Sequence, residues 1–118
     1  MDDFINIYLP ELEKAKQKYK DVINVYSAVE IEYFDEFKDF YPQLIEKLDY
    51  LILGQHYFKY EGKYLSIYSQ LSSEMLEIYC NTVVEALNTG YFKIFAHPDI
   101  FNWGYPFWDD ECVNVTKR

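Results

Sequence analysis

An α/β fold built on parallel strands is what this sequence predicts, and three observations predict it. Three apolar runs rich in β-branched and aromatic residues, Val22 to Glu30, Leu48 to His56 and Tyr91 to Asp99, each break into polar residues at the carboxyl end. Segments with apolar residues at three- and four-residue intervals precede the runs, which is the spacing of amphipathic helices. The links between them are short, and helices alternating with strands through short links point to βα repeats around a parallel sheet.

The first helix is expected over Asp3 to Lys20, where Ile5, Leu9, Leu12, Ala15 and Tyr19 share one face. Pro10 lies inside that pattern and predicts either a kink or a fresh helix start. Lys14, Lys16, Lys18 and Lys20 crowd the last turns, where cations complement the negative end of the helix dipole. They read as a solvated helix end in preference to a phosphate site. Val22 to Ile31 reads as the first strand. Phe37, Phe40, Tyr41, Leu44, Ile45 and Leu48 restore helical spacing, again with a proline, Pro42, in the pattern. The second strand follows from Asp49 to Gln55.

Between Tyr57 and Tyr68 aromatic residues alternate around Glu61-Gly62, which fits either a small hairpin or an ordered loop over the site. Ser72 or Ser73 then caps a helix carrying Met75, Tyr79, Val83, Ala86 and Leu87 on its apolar side, with Gly90 as its stop. The third strand begins at once. Past Asp99 the chain becomes loop-like and aromatic, through Phe101, Trp103, Tyr105, Phe107 and Trp108, and closes in Asp109-Asp110-Glu111 and a short polar tail.

Bulk properties bound the function. The 118 residues make one domain, half hydrophobic and one-fifth aromatic, which excludes a disordered chain. A net charge of -9 and a pI near 4.6 repel phosphate backbones and anionic lipid, so neither nucleic acid nor a membrane is an expected partner. Two cysteines, Cys80 and Cys112, are too few and too far apart for a disulfide scaffold or a zinc knuckle, and read as reduced thiols. Met1-Asp2-Asp3-Phe4 has no basic or apolar leader, and no run approaches the roughly 18 apolar residues of a membrane span. The cytoplasm is the expected compartment.

The strand ends carry the chemistry. The first run closes on Glu30, the second on His56 and the third on His97 of His97-Pro98-Asp99, and these are the chain's two histidines. Active sites of α/β proteins sit where the strands end. Imidazole and carboxylate donors together favour zinc, iron or manganese over calcium. Such an ion lowers the pKa of a water and polarises a phosphoryl oxygen, so hydrolysis is the reaction class suggested. Glu32 and Asp99, two residues beyond Glu30 and His97, are placed to orient an imidazole or a water. There is no glycine-rich phosphate loop, no Gly-x-Ser-x-Gly elbow, and no close pair such as His-Glu-x-x-His. Most of the aromatic tail reads as core, with Trp103 and Trp108 as lid candidates.

The successions Ala28-Val29-Glu30-Ile31-Glu32-Tyr33, Leu51-Ile52-Leu53-Gly54-Gln55-His56 and Gly90-Tyr91-Phe92-Lys93-Ile94-Phe95-Ala96-His97-Pro98-Asp99 resemble the middle of the polymerase and histidinol phosphatase (PHP) family, in its histidinol-phosphatase type. The resemblance extends over roughly Asp3 to Asp110. It implies a partial, distorted (β/α) barrel, up to three divalent ions (zinc, manganese or iron), and hydrolysis of a small phosphorylated substrate such as L-histidinol phosphate, in histidine biosynthesis. By motif match Glu30 would bridge two metals, and His56 and His97 would be ligands; all three stand as the catalytic set. The family's opening His-x-His strand and closing Asp-x-His strand have no counterpart here, so the chain resembles a central fragment of the domain that lacks part of the ligand set and need not be active alone. Three parallel strands on their own expose sheet edges, which predicts a homo-oligomer, most simply a symmetric dimer. The rival readings are a non-catalytic α/β interaction module using the aromatic tail, and a PHP phosphoesterase acting on phosphotyrosine or nucleotides.

Overall fold

Pro10 decides where the first helix starts. In the computed structural model, which describes residues 3–118, the chain opens with a wide π-helical turn, Phe4–Tyr8, and continues as helix α1, Leu9–Tyr19. Met1 and Asp2, which begin the stretch read above as having no leader, lie outside the described residues. Proline lacks an N–H and its ring clashes with a carbonyl four residues back, so it belongs in a first turn. The Leu9 N–H bonds to the Phe4 carbonyl, and this wider turn absorbs the mismatch. Pro10 thus falls in the first turn of α1, but the backbone before it is helical too, so the chain passes the proline on a widened turn without a break.

Strand β1 is Ala28–Ile31, which corrects the longer strand expected from Val22. The β-branched residues Val22 to Val25 have high strand propensity, but propensity needs a partner to become a ladder. The neighbouring strand β2, Tyr50–Leu53, begins opposite Ala28. Just before it, the Asp49 carboxylate takes the Ser27 N–H at 2.6 Å and the Ser27 hydroxyl at 2.8 Å, ending the ladder. Lys16 from α1 donates to the same oxygen at 2.7 Å. That lysine therefore clamps α1 to the start of the sheet and is not part of a solvated helix end.

Pro42 likewise breaks the helix expected from Phe37 to Leu48. The chain makes a 3₁₀ turn, Asp35–Phe37, and then a short helix α2, Tyr41–Ile45, with the proline in its first turn. After β2, the segment left open as hairpin or loop is a hairpin: β3, Tyr57–Tyr60, pairs antiparallel with β4, Lys63–Ser66. Both turn residues have positive φ, Glu61 at 47° and Gly62 at 76°, which is the backbone of a tight primed turn. Helix α3, Ser73–Asn88, starts at Ser72, whose hydroxyl accepts the Met75 N–H at 3.2 Å. Gly90 supplies the left-handed turn (φ 74°) into strand β5, Phe92–Phe95. The tail is not loop-like to its end. A 3₁₀ turn, Ile100–Trp103, is followed by helix α4, Asp110–Thr116, capped by Asp109 on the Cys112 N–H. The Asp109-Asp110-Glu111 run is thus an N-cap and an acidic first turn.

The fold is mixed α/β. Strands β1, β2 and β5 form one parallel sheet in that order, with Glu30 opposite Ile52 and Ile52 opposite Ile94. The sheet is open, and no closed barrel is present among the described residues. Leu51, Leu53 and Phe92 point into a core with Phe58, Leu76, Tyr79 and Ala86. The opposite face, with Ile52 and Ile94, is only partly covered, and Ile94 is 46 % exposed. Helix α1 buries none of its residues. The radius of gyration is accordingly 16.9 Å, against about 13.5 Å for a compact chain of this length.

The clamp at Asp49 makes acid stability measurable. Lys16 and the Ser27 donors hold its carboxyl at about 2, below the usual aspartate range. A carboxyl whose pKa is depressed by folding contributes stability above its unfolded value, about 4, and loses it as pH falls toward the folded one. The melting temperature of the wild type is therefore expected to drop between pH 4 and pH 2 by more than that of Asp49→Asn. Parallel curves would refute the clamp.

Candidate metal centre

Glu30, His56 and His97 converge. One donor atom from each lies within 4.8 Å of the others. Glu30 extends from β1, His56 follows the end of β2 and His97 follows the end of β5, so three parallel strands deliver one donor apiece. The Glu30 Oε1 atom stands 3.2 Å from His97 Nε2 and 3.9 Å from His56 Nε2. The two imidazole rings are 4.8 Å apart, tilted by 55°.

His56 is held in one orientation. Its Nδ1 lies 2.7 Å from Glu32 Oε1, while Glu32 Oε2 accepts the backbone N–H groups of His56 (2.9 Å) and Tyr57 (3.2 Å). With Nδ1 set against a carboxylate, a neutral ring carries its lone pair on Nε2, the nitrogen that faces Glu30. Tyr68 stacks on the outer side of the ring at 6.4 Å, and Trp103 meets Tyr68 edge-on at 6.3 Å. Trp103, 76 % exposed, reaches the centre only by way of Tyr68. Trp108 lines a separate cleft against α3.

Gly54 and His97 are where the backbone yields to the site. The Glu30 side chain crosses directly over Gly54, where a Cβ would stand 2.6 Å from both Glu30 Cγ and Cδ and collide with Oε1. His97 has φ 36°, a left-handed conformation unusual for a non-glycine residue and doubly so before proline. Such outliers cost about 1–3 kcal/mol and collect at functional sites. Here the strain turns the His97 ring toward Glu30. Its Nδ1 is buried without a partner among the described residues, so His97 lacks the orienting acceptor that His56 has.

Of the two residues expected to support the ligands, Glu32 does so and Asp99 does not. Asp99 begins the 3₁₀ turn after His97 and lines the cleft beside α3. Glu32, two residues past Glu30 and just past the end of β1, reaches across to the His56 ring and its backbone N–H. The chain turns sharply at His97-Pro98, so the same spacing sends Asp99 elsewhere.

Two supporting residues escaped the sequence reading. Gln55 is fully buried, and its amide bonds to the Tyr33 N–H (2.9 Å), the Tyr33 carbonyl (3.0 Å) and the Tyr57 carbonyl (2.6 Å). It locks the exit of β1 to the exit of β2, which places Glu32 beside His56. Tyr41, also buried, accepts the Phe34 N–H at 2.8 Å and donates to the Glu32 carbonyl at 3.2 Å. An amide between a glycine and a histidine at the end of an apolar run was the available sign of the first. Tyr41 gave none.

Two nitrogens and one carboxylate, with one imidazole oriented from behind, could hold a metal ion. Fold and site together define a small mixed α/β protein with a carboxylate and two imidazoles gathered at the ends of parallel strands. The chain matches no protein-family model, no curated protein sequence and no solved structure.

Proposed function

We propose that the chain is a metal-dependent phosphomonoesterase of the PHP, histidinol-phosphatase-like type, its parallel sheet forming part of a distorted (β/α) barrel. The observation that carries this reading is the convergence of Glu30, His56 and His97 from three neighbouring strands. These residues would hold the ion, zinc, manganese or iron, and Glu32 would keep His56 in the ligating tautomer. An ion held there supplies Lewis acidity toward a phosphoryl oxygen and makes a water more acidic. Three protein donors leave room for a small phosphorylated substrate. Tyr68 and Trp103 would wall that side and exclude water. The free thiols Cys80 and Cys112 are consistent with a cytoplasmic setting.

The test is to load the protein with Zn²⁺, Mn²⁺ or Fe²⁺, measure the bound ion, and assay phosphate release from p-nitrophenyl phosphate and L-histidinol phosphate. Metal binding is expected, and metal-dependent release would show a partial domain active alone. Binding without release would remove the activity from this chain and leave the ancestry standing, and no binding would defeat the metal centre as well.

The partly covered sheet face supports self-association, since parallel sheets are ordinarily covered on both sides. Light scattering should give a dimer at micromolar concentration; a monomer would exclude it. The rival reading, an interaction module, draws support from Trp103 and Trp108, exposed by 76 % and 70 %. It predicts that replacing both abolishes capture of a protein partner while metal content is unchanged.

A further inference from the structure

A concavity away from the candidate metal centre shares no residue with it. It is a cleft of about 600 Å³ between α3 and α4, walled by Val83, Val84 and Leu87 of α3, Phe95 at the end of β5, and Val115 of α4. That volume is typical of small-molecule sites, which are mainly apolar with a few polar groups fixing orientation.

The polar groups of this cleft are nearly all committed. Arg118 donates to Glu77 at 2.7 Å and to Asn81 at 2.6 Å. The Thr116 hydroxyl donates to the Cys112 carbonyl at 2.9 Å, and the Tyr79 hydroxyl to the Gln55 carbonyl at 3.3 Å. Burial pushes the Cys80 thiol up to about 11, so it stays protonated and behaves as apolar wall. Asn88 and Asp99 are the exceptions, and of the two only Asp99 carries a charge. Its carboxylate does not cap the turn it begins and makes no ion pair among the described residues. Trp108, on the same cleft, is 70 % exposed, and an indole face attracts cations.

We propose that this cleft binds a small amphiphilic amine, its apolar body among Val83, Val84, Leu87 and Phe95 and its ammonium beside Asp99 and Trp108. The charge decides the class. An anion would have to strip Arg118 from Glu77, whereas a neutral ligand would cover the Asp99 carboxylate without pairing it. An ammonium meets the one free charge and adds to a chain already at -9.

The probe is 2-phenylethylamine, with 2-phenylethanol as its neutral counterpart, titrated calorimetrically in EDTA so that the candidate metal centre takes no part. The amine should saturate one site and bind at least tenfold more tightly than the alcohol. Asp99→Asn should erase that ratio by weakening the amine alone. Val84→Trp, which fills the cleft, should abolish both; Leu87→Trp does the same from the half-exposed rim and covers the case in which the first variant fails to fold. No saturable heat, equal affinities, an amine preference that survives Asp99→Asn, or binding that survives both filling variants would each overturn the proposal.

Discussion

Glu30→Gln and His97→Gly are each expected to cut affinity for the divalent ion at least about 100-fold. That exceeds the roughly 10–100-fold loss typical when only an orienting partner is removed, which is the expectation for Glu32→Ala. Glutamine keeps the shape of Glu30 but removes the charge at the atom that both imidazoles face. Glycine at 97 removes a donor and at the same time relieves the strained φ of 36°. The two variants should therefore part company in stability. Glu30→Gln leaves the melting temperature of the metal-free protein near that of the wild type, and His97→Gly leaves it equal or higher. Calorimetric titration with Zn²⁺ and thermal melts in EDTA check both halves. Unchanged affinity in either variant would mean that the three side chains are near one another without forming a centre.

The strained histidine also marks how far the sequence could be read. Runs ending at Glu30, His56 and His97 were legible because a parallel ladder needs short apolar strands, and their polar ends fall on one rim of the sheet. The pairing itself, Glu30 opposite Ile52 opposite Ile94, follows once those strands lie side by side. What was illegible depends on distant partners. Val22 to Val25 look like strand by composition, yet Asp49 ends the ladder at Ser27 from 22 residues away. Asp109-Asp110-Glu111 and the residues after it give no helix by themselves, because an N-cap is recognised only when the helix after it is. Asp99 and Glu32 share a spacing from the candidate ligands, but only Glu32 reaches the centre, where it meets His56, while the chain turns at His97-Pro98 and carries Asp99 away.

Gly54→Ala and Gly104→Ala should have opposite signatures, and the pair separates the site from the fold. At Gly54 the atoms that a Cβ would meet belong to Glu30, a flexible side chain 44 % exposed, which can swing outward. The backbone need not move, and alanine restricts the unfolded chain more than glycine does, so stability is expected to change by less than about 1 kcal/mol. The displaced carboxylate no longer faces the imidazoles, so ion affinity should fall at least tenfold. At Gly104 a Cβ would instead meet backbone: the Ser69 carbonyl, the Ile67 carbonyl at 2.5 Å and, beyond them, Leu71 Cγ at 2.7 Å. Gly104 also accepts the Leu71 N–H through its own carbonyl at 2.9 Å, so the two segments cannot separate without losing that bond. Overpacking against fixed backbone costs about 1–3 kcal/mol, with a fall of several degrees in melting temperature and little change in ion affinity per folded molecule. A Gly54→Ala protein that binds the ion as the wild type does would show that Glu30 reaches the centre by a path other than the one over Gly54.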